Sequence, residues 1–339
     1  MSEQTKLRWG ILGAARINER MLPAIAEAPN AELIAIASRR EGAALETLQR
    51  YAPSLSNVQT SLTPEQILSH EDIDAVYIPL ANHEHAEWTL KAIAHKKYVL
   101  CEKPLALTAE DVKAITQAAQ AQHVTVMEGF MYRFHPQYSR VQALLASGII
   151  GEVRSVRASY SFMMRPQRLY RLVEPVTRGG GATWDIGCYA VHSVRGCFTQ
   201  PALSVTALSH IVESGADDAT SAIIDFGEGR FAQIDYSFTR ARRCEYEIIG
   251  TQGGLCCHTV WQLPGDVPVI SWWTEDGRQF VEKLPYSNHF RLQIEQFSAA
   301  VLAKQAPLLS LTDALDNCRV LEALLKAATT GGVIPVQYD

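Results

Sequence analysis

Five short apolar runs, each followed by a segment with helical spacing or a turn, occupy the first 128 residues and leave little freedom of architecture. The runs are Leu7–Leu12, Glu32–Ala37, Ala75–Ile78, Tyr98–Cys101 and Thr125–Met127. Between them, Arg16–Ala28, Gly42–Tyr51, His83–His95 and Ala109–Gln122 carry apolar residues at helical spacing. Strand and helix in alternation imply a parallel sheet with right-handed crossovers and helices on both faces. Residues 1–128 are therefore expected to form a doubly wound α/β domain of the Rossmann type.

The pattern changes at residue 129. After a helix over Pro136–Ala146, six apolar or alternating runs follow: Glu152–Phe162, Ser204–Val212, Ala219–Phe226, Arg230–Phe238, Cys244–Gly250 and Gly254–Val260. Turn signals such as Glu228-Gly229 and Gln252-Gly253-Gly254 separate them. Strands without intervening helices form hairpin-linked antiparallel sheets. Two helices close the chain, Phe290–Leu302 and Thr312–Ala328, the second capped by Ser310 or Thr312. Residues 129–339 thus read as an α+β domain on a large open, mostly antiparallel sheet.

A chain of 339 residues suits two such domains, and 47% hydrophobic with 20% charged residues is ordinary globular usage. The net charge of −5 argues against nucleic acid or a membrane surface as partner. No run approaches the ~18 apolar residues of a membrane span, and the polar start Met1–Lys6 does not resemble a signal peptide, so a cytoplasmic location is expected. Seven scattered cysteines then read as reduced thiols. Cys256-Cys257-His258 lacks the ligand spacing of a zinc site, and no metal is expected.

Chemistry enters with Trp9-Gly10-Ile11-Leu12-Gly13-Ala14-Ala15-Arg16-Ile17-Asn18, which closes a strand and opens a helix. There a dinucleotide pyrophosphate meets free amides and the positive helix end. Gly13, Ala15 and Asn18 stand at the three positions of a degraded glycine fingerprint, with Asn18 expected to loosen helix–sheet packing. At the end of the second strand, Ser38-Arg39-Arg40 offers small polar and cationic groups where an NAD site would place a carboxylate. Arginine pairs with a 2′-phosphate, so the expected cofactor is NADP(H). Glu102-Lys103-Pro104 ends the fourth strand, beside the crevice where such sheets bind ligands; Lys103 would face the nicotinamide.

Together these motifs resemble the glucose–fructose oxidoreductase/inositol dehydrogenase/rhizopine catabolism (Gfo/Idh/MocA) family. Three further stretches are similar: Tyr77-Ile78-Pro79-Leu80-Ala81-Asn82-His83-Glu84-His85-Ala86-Glu87-Trp88, Met127–Pro136, and Gly179-Gly180-Gly181-Ala182-Thr183-Trp184-Asp185-Ile186-Gly187-Cys188-Tyr189. The resemblance implies that residues 1–128 bind the nucleotide, that residues 129–339 carry substrate and oligomer contacts, and that Lys103, Asp185 and Tyr189 are the catalytic set. Tyrosine at 189, where inositol dehydrogenases have histidine, places the chain nearer the aldose 1-dehydrogenase and dihydrodiol dehydrogenase branches. His192 stands where many members carry Asp or Asn, and its role is left open.

The chemistry suits that set. Hydride transfer to a carbonyl needs a proton for the developing alkoxide. A phenol near pKa ~10 becomes a usable acid–base group beside an ammonium. Tyr189 is thus expected to move the proton, Lys103 to hold the substrate oxygen and lower the tyrosine's pKa, and Asp185 to orient a hydroxyl or the lysine. Gly13, Ala14, Ala15, Arg16, Ile17, Ser38, Arg39, Arg40, Pro79, Leu80, Asn82, His85, Glu102, Lys103 and Arg133 are expected around the cofactor. Trp184 and Arg171 are expected beside Lys103, Asp185 and Tyr189 at the substrate. The arginines of the Met163–Arg178 loop (Arg165, Arg168, Arg171, Arg178) read as a solvated loop that packs on the cofactor or a partner subunit, with steering of a phosphorylated or acidic substrate as the alternative. The expected reaction interconverts CH–OH and C=O on a sugar, polyol or related small carbonyl compound. A glycoside hydrolase cycling a tightly held dinucleotide and a non-catalytic NADP(H)-binding regulator are the alternatives. An open sheet face implies a homodimer or homotetramer.

Overall fold

The computed structural model describes residues 5–261 and 267–338. Two compact units emerge, one of residues up to Phe134 with Asn288–Leu315, the other of His135–Ser287 with the residues from Asp316 onward.

The first unit is built on a five-stranded sheet of β1 (Leu7–Leu12), β2 (Ala31–Ala37), β3 (Ala75–Ile78), β4 (Tyr98–Cys101) and β5 (Val126–Glu128), in the order β2-β1-β3-β4-β5. Every pairing is parallel. The helices are α1 (Asn18–Glu27), α2 (Ala43–Tyr51), α3 (Pro64–Ser69), α4 (His85–Ala94) and α5 (Ala109–Gln122). Trp9, Ile11, Val76, Tyr77, Val99 and Leu100 are wholly buried, as apolar strands covered on both faces must be. Helix α3 escaped sequence analysis, although Thr63 and Gln66 form a reciprocal capping box: the Gln66 amide donates to Thr63 Oγ1 and the Thr63 amide to Gln66 Oε1.

The second unit holds α6 (Pro136–Ala146), β6 (Val153–Ser161), the short α7 (Tyr170–Val173), α8 (Cys188–Arg195) and β7–β13. Those strands are β7 (Ser204–Ile211), β8 (Asp217–Asp225), β9 (Phe231–Ser237), β10 (Arg243–Gly250), β11 (Gly253–Cys257), β12 (Val269–Thr274) and β13 (Gln279–Lys283). Near the chain end come α9 (His289–Leu302), α10 (Leu311–Thr330) and β14 (Ile334–Pro335). The nine-stranded order is β13-β12-β11-β10-β6-β9-β8-β7-β14, antiparallel throughout except for the parallel pair β6/β9. Both expected sheets are present. The β12–β13 hairpin was not anticipated; its tight turn contains Asp276-Gly277, with Gly277 at φ 87°, and Trp272 stacks on Phe280 at 5.1 Å. Helix α8 lies on one face of this sheet against β6 and β9. The opposite face leaves Leu208, Ile223, Phe231 and Val281 exposed.

Helix α9 belongs to the first unit although it follows β13 in sequence. Trp9 packs on Phe297 with ring centroids 5.3 Å apart and donates its indole N–H to Ser298 Oγ at 3.3 Å. Asn30 Nδ2 donates to the Glu295 carbonyl at 2.8 Å. One cut at residue 128 therefore leaves out a helix that covers β1. Ser310 is the cap of α10, its Oγ accepting the Asp313 amide at 3.1 Å. Among the described residues no helix is long and apolar enough to cross a membrane.

Candidate active site

The strand order of the first unit sets its motifs in a row along the carboxyl edge: Ser38-Arg39-Arg40 after β2, the Gly13 turn after β1, Pro79–His85 after β3 and Lys103 after β4. With strands ~4.8 Å apart, that row spans about 14 Å. Gly13 has φ 133°, a conformation that L side chains rarely adopt, and a Cβ there would also crowd Leu80 Cδ2 at 3.1 Å, so the backbone favours glycine. Helix α1 begins only at Asn18, which leaves Ala14–Ile17 in the turn. Asn18 does not loosen the packing. It is fully buried, and its Nδ2 donates to the Gly13 carbonyl at 2.9 Å, pinning the turn to the helix.

Beyond β2, Ser38 Oγ accepts the Arg40 amide at 3.1 Å, and Arg40 Nη2 lies 3.4 Å from the Ala14 carbonyl. Arg39 is held end-on by Glu84, with Nη1 to Oε1 at 2.7 Å and Nη2 to Oε2 at 3.0 Å. Lys103 is buried beyond β4, in a cis peptide linkage to Pro104. Glu102, just past β4, accepts the Tyr77 hydroxyl at 2.6 Å, and Glu128 of β5 accepts the Leu105 amide at 2.8 Å, so residues on either side of the lysine are tied down. Pro79 is buried and Asn82 half-buried.

The placement of His85 corrects an expectation. It is buried, with Nδ1 2.7 Å from the Pro104 carbonyl and Nε2 3.1 Å from the Leu80 carbonyl. Both ring nitrogens face backbone, so the ring ties the β3 loop to the Lys103-Pro104 turn rather than offering a nitrogen to a cofactor. Burial pulls its pKa down to about 4 despite the two carbonyls. Arg133 lies 3.8 Å from Asp313.

In the second unit, a π-helical turn over Thr183–Gly187 runs directly into α8, carrying Asp185 and Tyr189 on one continuous segment. Both oxygens of Asp185 are paired: Arg168 Nη2 approaches Oδ2 at 2.8 Å and Arg171 Nη1 approaches Oδ1 at 3.0 Å. Two arginines of the loop thus hold Asp185, so Arg168, read from sequence as part of a solvated loop, is paired instead. Burial lowers the Arg171 pKa, but Asp185 together with Tyr170 and Cys188 outweighs it, and the net shift is upward. Tyr189 is buried in an aromatic group, its ring centroid 5.8 Å from Tyr160 and 6.4 Å from Trp261.

Trp184 is a second correction. It is 2% exposed and its indole N–H donates to the Val176 carbonyl at 3.1 Å, so it fills core and fastens the loop instead of offering a face to a sugar ring. His192 is likewise buried in α8.

The π turn hangs on Asp217, the first residue of β8, which no motif had marked. Its carboxylate accepts the Thr183 amide at 3.1 Å, Thr183 Oγ1 at 2.9 Å and Thr220 Oγ1 at 2.8 Å. Tyr236 Oη lies 3.0 Å from Thr183 Oγ1, and Ser209 Oγ 2.7 Å from Thr220 Oγ1. Burial pushes the Asp217 pKa up, against the pull of the Thr183 amide. Gly181, at φ 101°, leaves no room for a Cβ, which would fall 2.4 Å from Asp217 Oδ1.

Residues 7–130 match the model of the Gfo/Idh/MocA oxidoreductase family with its NAD-binding Rossmann fold, and residues 138–256 match a C-terminal domain model of the same family. The D-xylose 1-dehydrogenase (NADP(+)) 2 of Haloferax volcanii is 30% identical over 97% of this chain and 99% of its own length. The chain belongs to the Gfo/Idh/MocA family. Another family member, the dTDP-3,4-didehydro-2,6-dideoxy-alpha-D-glucose 3-reductase of Actinomadura kijaniata, is 32% identical over 95% of this chain and 96% of its own. A crystal structure of a 3-ketoreductase from that organism with NADP and TDP-benzene superposes with a TM-score of 0.87 at 30% identity, covering 95% and 98% of the two chains. Of the motifs, the glycine turn and Glu102-Lys103-Pro104 lie at strand ends and the Gly179–Tyr189 segment at a helix start.

Proposed function

We propose that this protein is an NADP(H)-dependent oxidoreductase that moves hydride between the nicotinamide ring and the CH–OH/C=O carbon of a sugar, polyol or related small carbonyl compound. The observation that carries the reading is the row along the parallel sheet: cationic side chains after β2, the Gly13 turn after β1 and buried Lys103 after β4. That row fits a dinucleotide lying with its adenosine end at β2 and its nicotinamide end at β4, and the named relatives are NADP enzymes of sugars and sugar nucleotides. Gly13, Ala14, Ala15, Arg16 and Ile17 would hold the pyrophosphate, Ser38, Arg39 and Arg40 the adenosine end with its 2′-phosphate, and Pro79, Leu80, Asn82, Glu102 and Arg133 the remainder.

When bound, the nicotinamide supplies or accepts the hydride. The chain's own residues handle the oxygen. Lys103 binds the substrate oxygen through its ammonium, which favours negative charge there as the carbonyl is reduced. Tyr189 gives that oxygen a proton during reduction and takes it back during oxidation. Asp185, held by Arg168 and Arg171, keeps a fixed negative charge that accepts a substrate hydroxyl. The exposed sheet face bearing Leu208, Ile223, Phe231 and Val281 would be covered in a homodimer or homotetramer, which light scattering on the purified protein tests.

The experiment is a screen of aldoses, polyols and keto-sugars with NADP+ and NADPH, followed at the nicotinamide absorbance. Tyr189→Phe and Lys103→Met are expected to lower kcat/KM by about 10²–10⁴-fold while NADPH binding by Tyr189→Phe stays intact. Undiminished turnover in either variant refutes the assigned role.

A further inference from the structure

The guanidinium that would recognise a 2′-phosphate already has a carboxylate on it. Glu84 takes one N–H from each terminal nitrogen of Arg39 in a bidentate pair. It comes from the turn after β3, not from the end of β2 where a ribose-binding acid would sit. The Glu84 side chain is only 14% exposed, whereas Arg39 is 64% exposed, so the carboxylate is the fixed partner and the arginine the mobile one. Glu84 Oε2 also lies 3.4 Å from the Ala81 amide, which fastens it to its own turn. We infer that Glu84 is a specificity-determining residue that competes with the 2′-phosphate for Arg39 and thereby moderates the preference for NADP(H) over NAD(H).

The reasoning is electrostatic and rests on the cofactor reading above. A 2′-phosphate and a carboxylate seek the same two forward N–H groups of one guanidinium. A dianionic phosphate placed on Arg39 therefore either displaces Glu84 or lies beside its negative charge, and both outcomes cost affinity. Unphosphorylated ribose asks nothing of that fork. The competition is thus felt by NADP(H) and not by NAD(H). Releasing NADP(H) returns Arg39 to Glu84, so the freed guanidinium is never left unpaired, and the same pair would speed cofactor exchange between turnovers.

Binding of NADPH and NADH to the full-length protein, followed by nicotinamide fluorescence, tests this in the Glu84→Gln, Arg39→Ala and double variants. Glutamine keeps the size of the side chain and an oxygen for the Ala81 amide. Glu84→Gln is expected to tighten NADPH about three- to fivefold at low salt, less at high salt, with NADH moving less than twofold. The gain should vanish on the Arg39→Ala background. A Glu84→Gln protein that binds NADPH no better, binds it worse, or shifts both nucleotides alike overturns the proposal. Failure of the cofactor reading looks different: Arg39→Ala alone would then leave the NADPH/NADH ratio unchanged, where a loss of about tenfold or more is expected.

Discussion

Replacing Asp217 by alanine tests whether the π turn is held as described. Three donors converge on this carboxylate, the Thr183 amide and the hydroxyls of Thr183 and Thr220. The hydroxyls can rotate to Tyr236 and Ser209, which lie 3.0 and 2.7 Å from them. The amide has no second acceptor in that arrangement, and a buried orphan of this kind costs about 1–3 kcal/mol. Losing two hydroxyl bonds to a carboxylate adds about 1.5–3 kcal/mol each, of which re-pairing and the removal of a buried charge return a good part. A net loss of about 3 kcal/mol follows, or a fall of roughly 6–12 °C in the transition of the second unit at ~2–4 °C per kcal/mol. Differential scanning calorimetry reads it directly. Turnover should fall too, because Asp185 and Tyr189 ride on the segment that Asp217 anchors, while NADPH affinity should hold. Unchanged melting, or a shift of under about 2 °C, would show that the carboxylate does not hold the turn.

The remaining expectations concern packing and pH. His85 has its pKa lowered from 6.5 to about 4 by burial, so its folded form binds protons less readily than its unfolded form. Its contribution is complete above pH ~6.5 and is lost as pH falls towards 4, on the order of 3 kcal/mol in all; acid titration of the wild type against His85→Gln should show a flatter limb in the variant, and identical limbs would refute the assignment. Phe297→Ala strips the ring packed on Trp9 and should cost about 3–5 kcal/mol, with tryptophan emission shifting to the red; a native-like spectrum and melting curve would contradict it. Gly13→Val introduces a side chain at φ 133° against Leu80 and should abolish dinucleotide binding with the second unit's melting unaltered; retained NADPH affinity would show that the turn is not the phosphate site.

What sequence reading captured and what it lost divide along one physical line. Periodicity reports which face of an element is buried, and the apolar strands of the first unit, with Gly13 and Lys103 at their ends, were legible for that reason. The Asp276-Gly277 turn between two apolar runs and the Thr63/Gln66 capping box were local signals, present and overlooked. Asp217 is different. It lies 34 residues from the amide it satisfies, and nothing within either segment announces the pair. Trp184 is expected at the substrate because it neighbours Asp185, yet the whole π turn is buried and the indole bonds the Val176 carbonyl. The Arg39–Glu84 pair joins separate elements and becomes visible only when the sheet order is known, and the Arg168–Asp185 pair only when the path of the intervening loop is known.

Helix α9 has a bearing on how the chain emerges from a ribosome. The strands of the first unit are complete by Glu128, yet the surface of Trp9 that Phe297 covers stays bare until some 300 residues have been made. At ~5–20 residues per second that interval lasts on the order of ten to thirty seconds. A fragment ending near residue 134 would carry the same bare tryptophan permanently, so excising the nucleotide-binding half as an isolated module should yield an aggregation-prone protein unless His289–Leu302 is supplied with it.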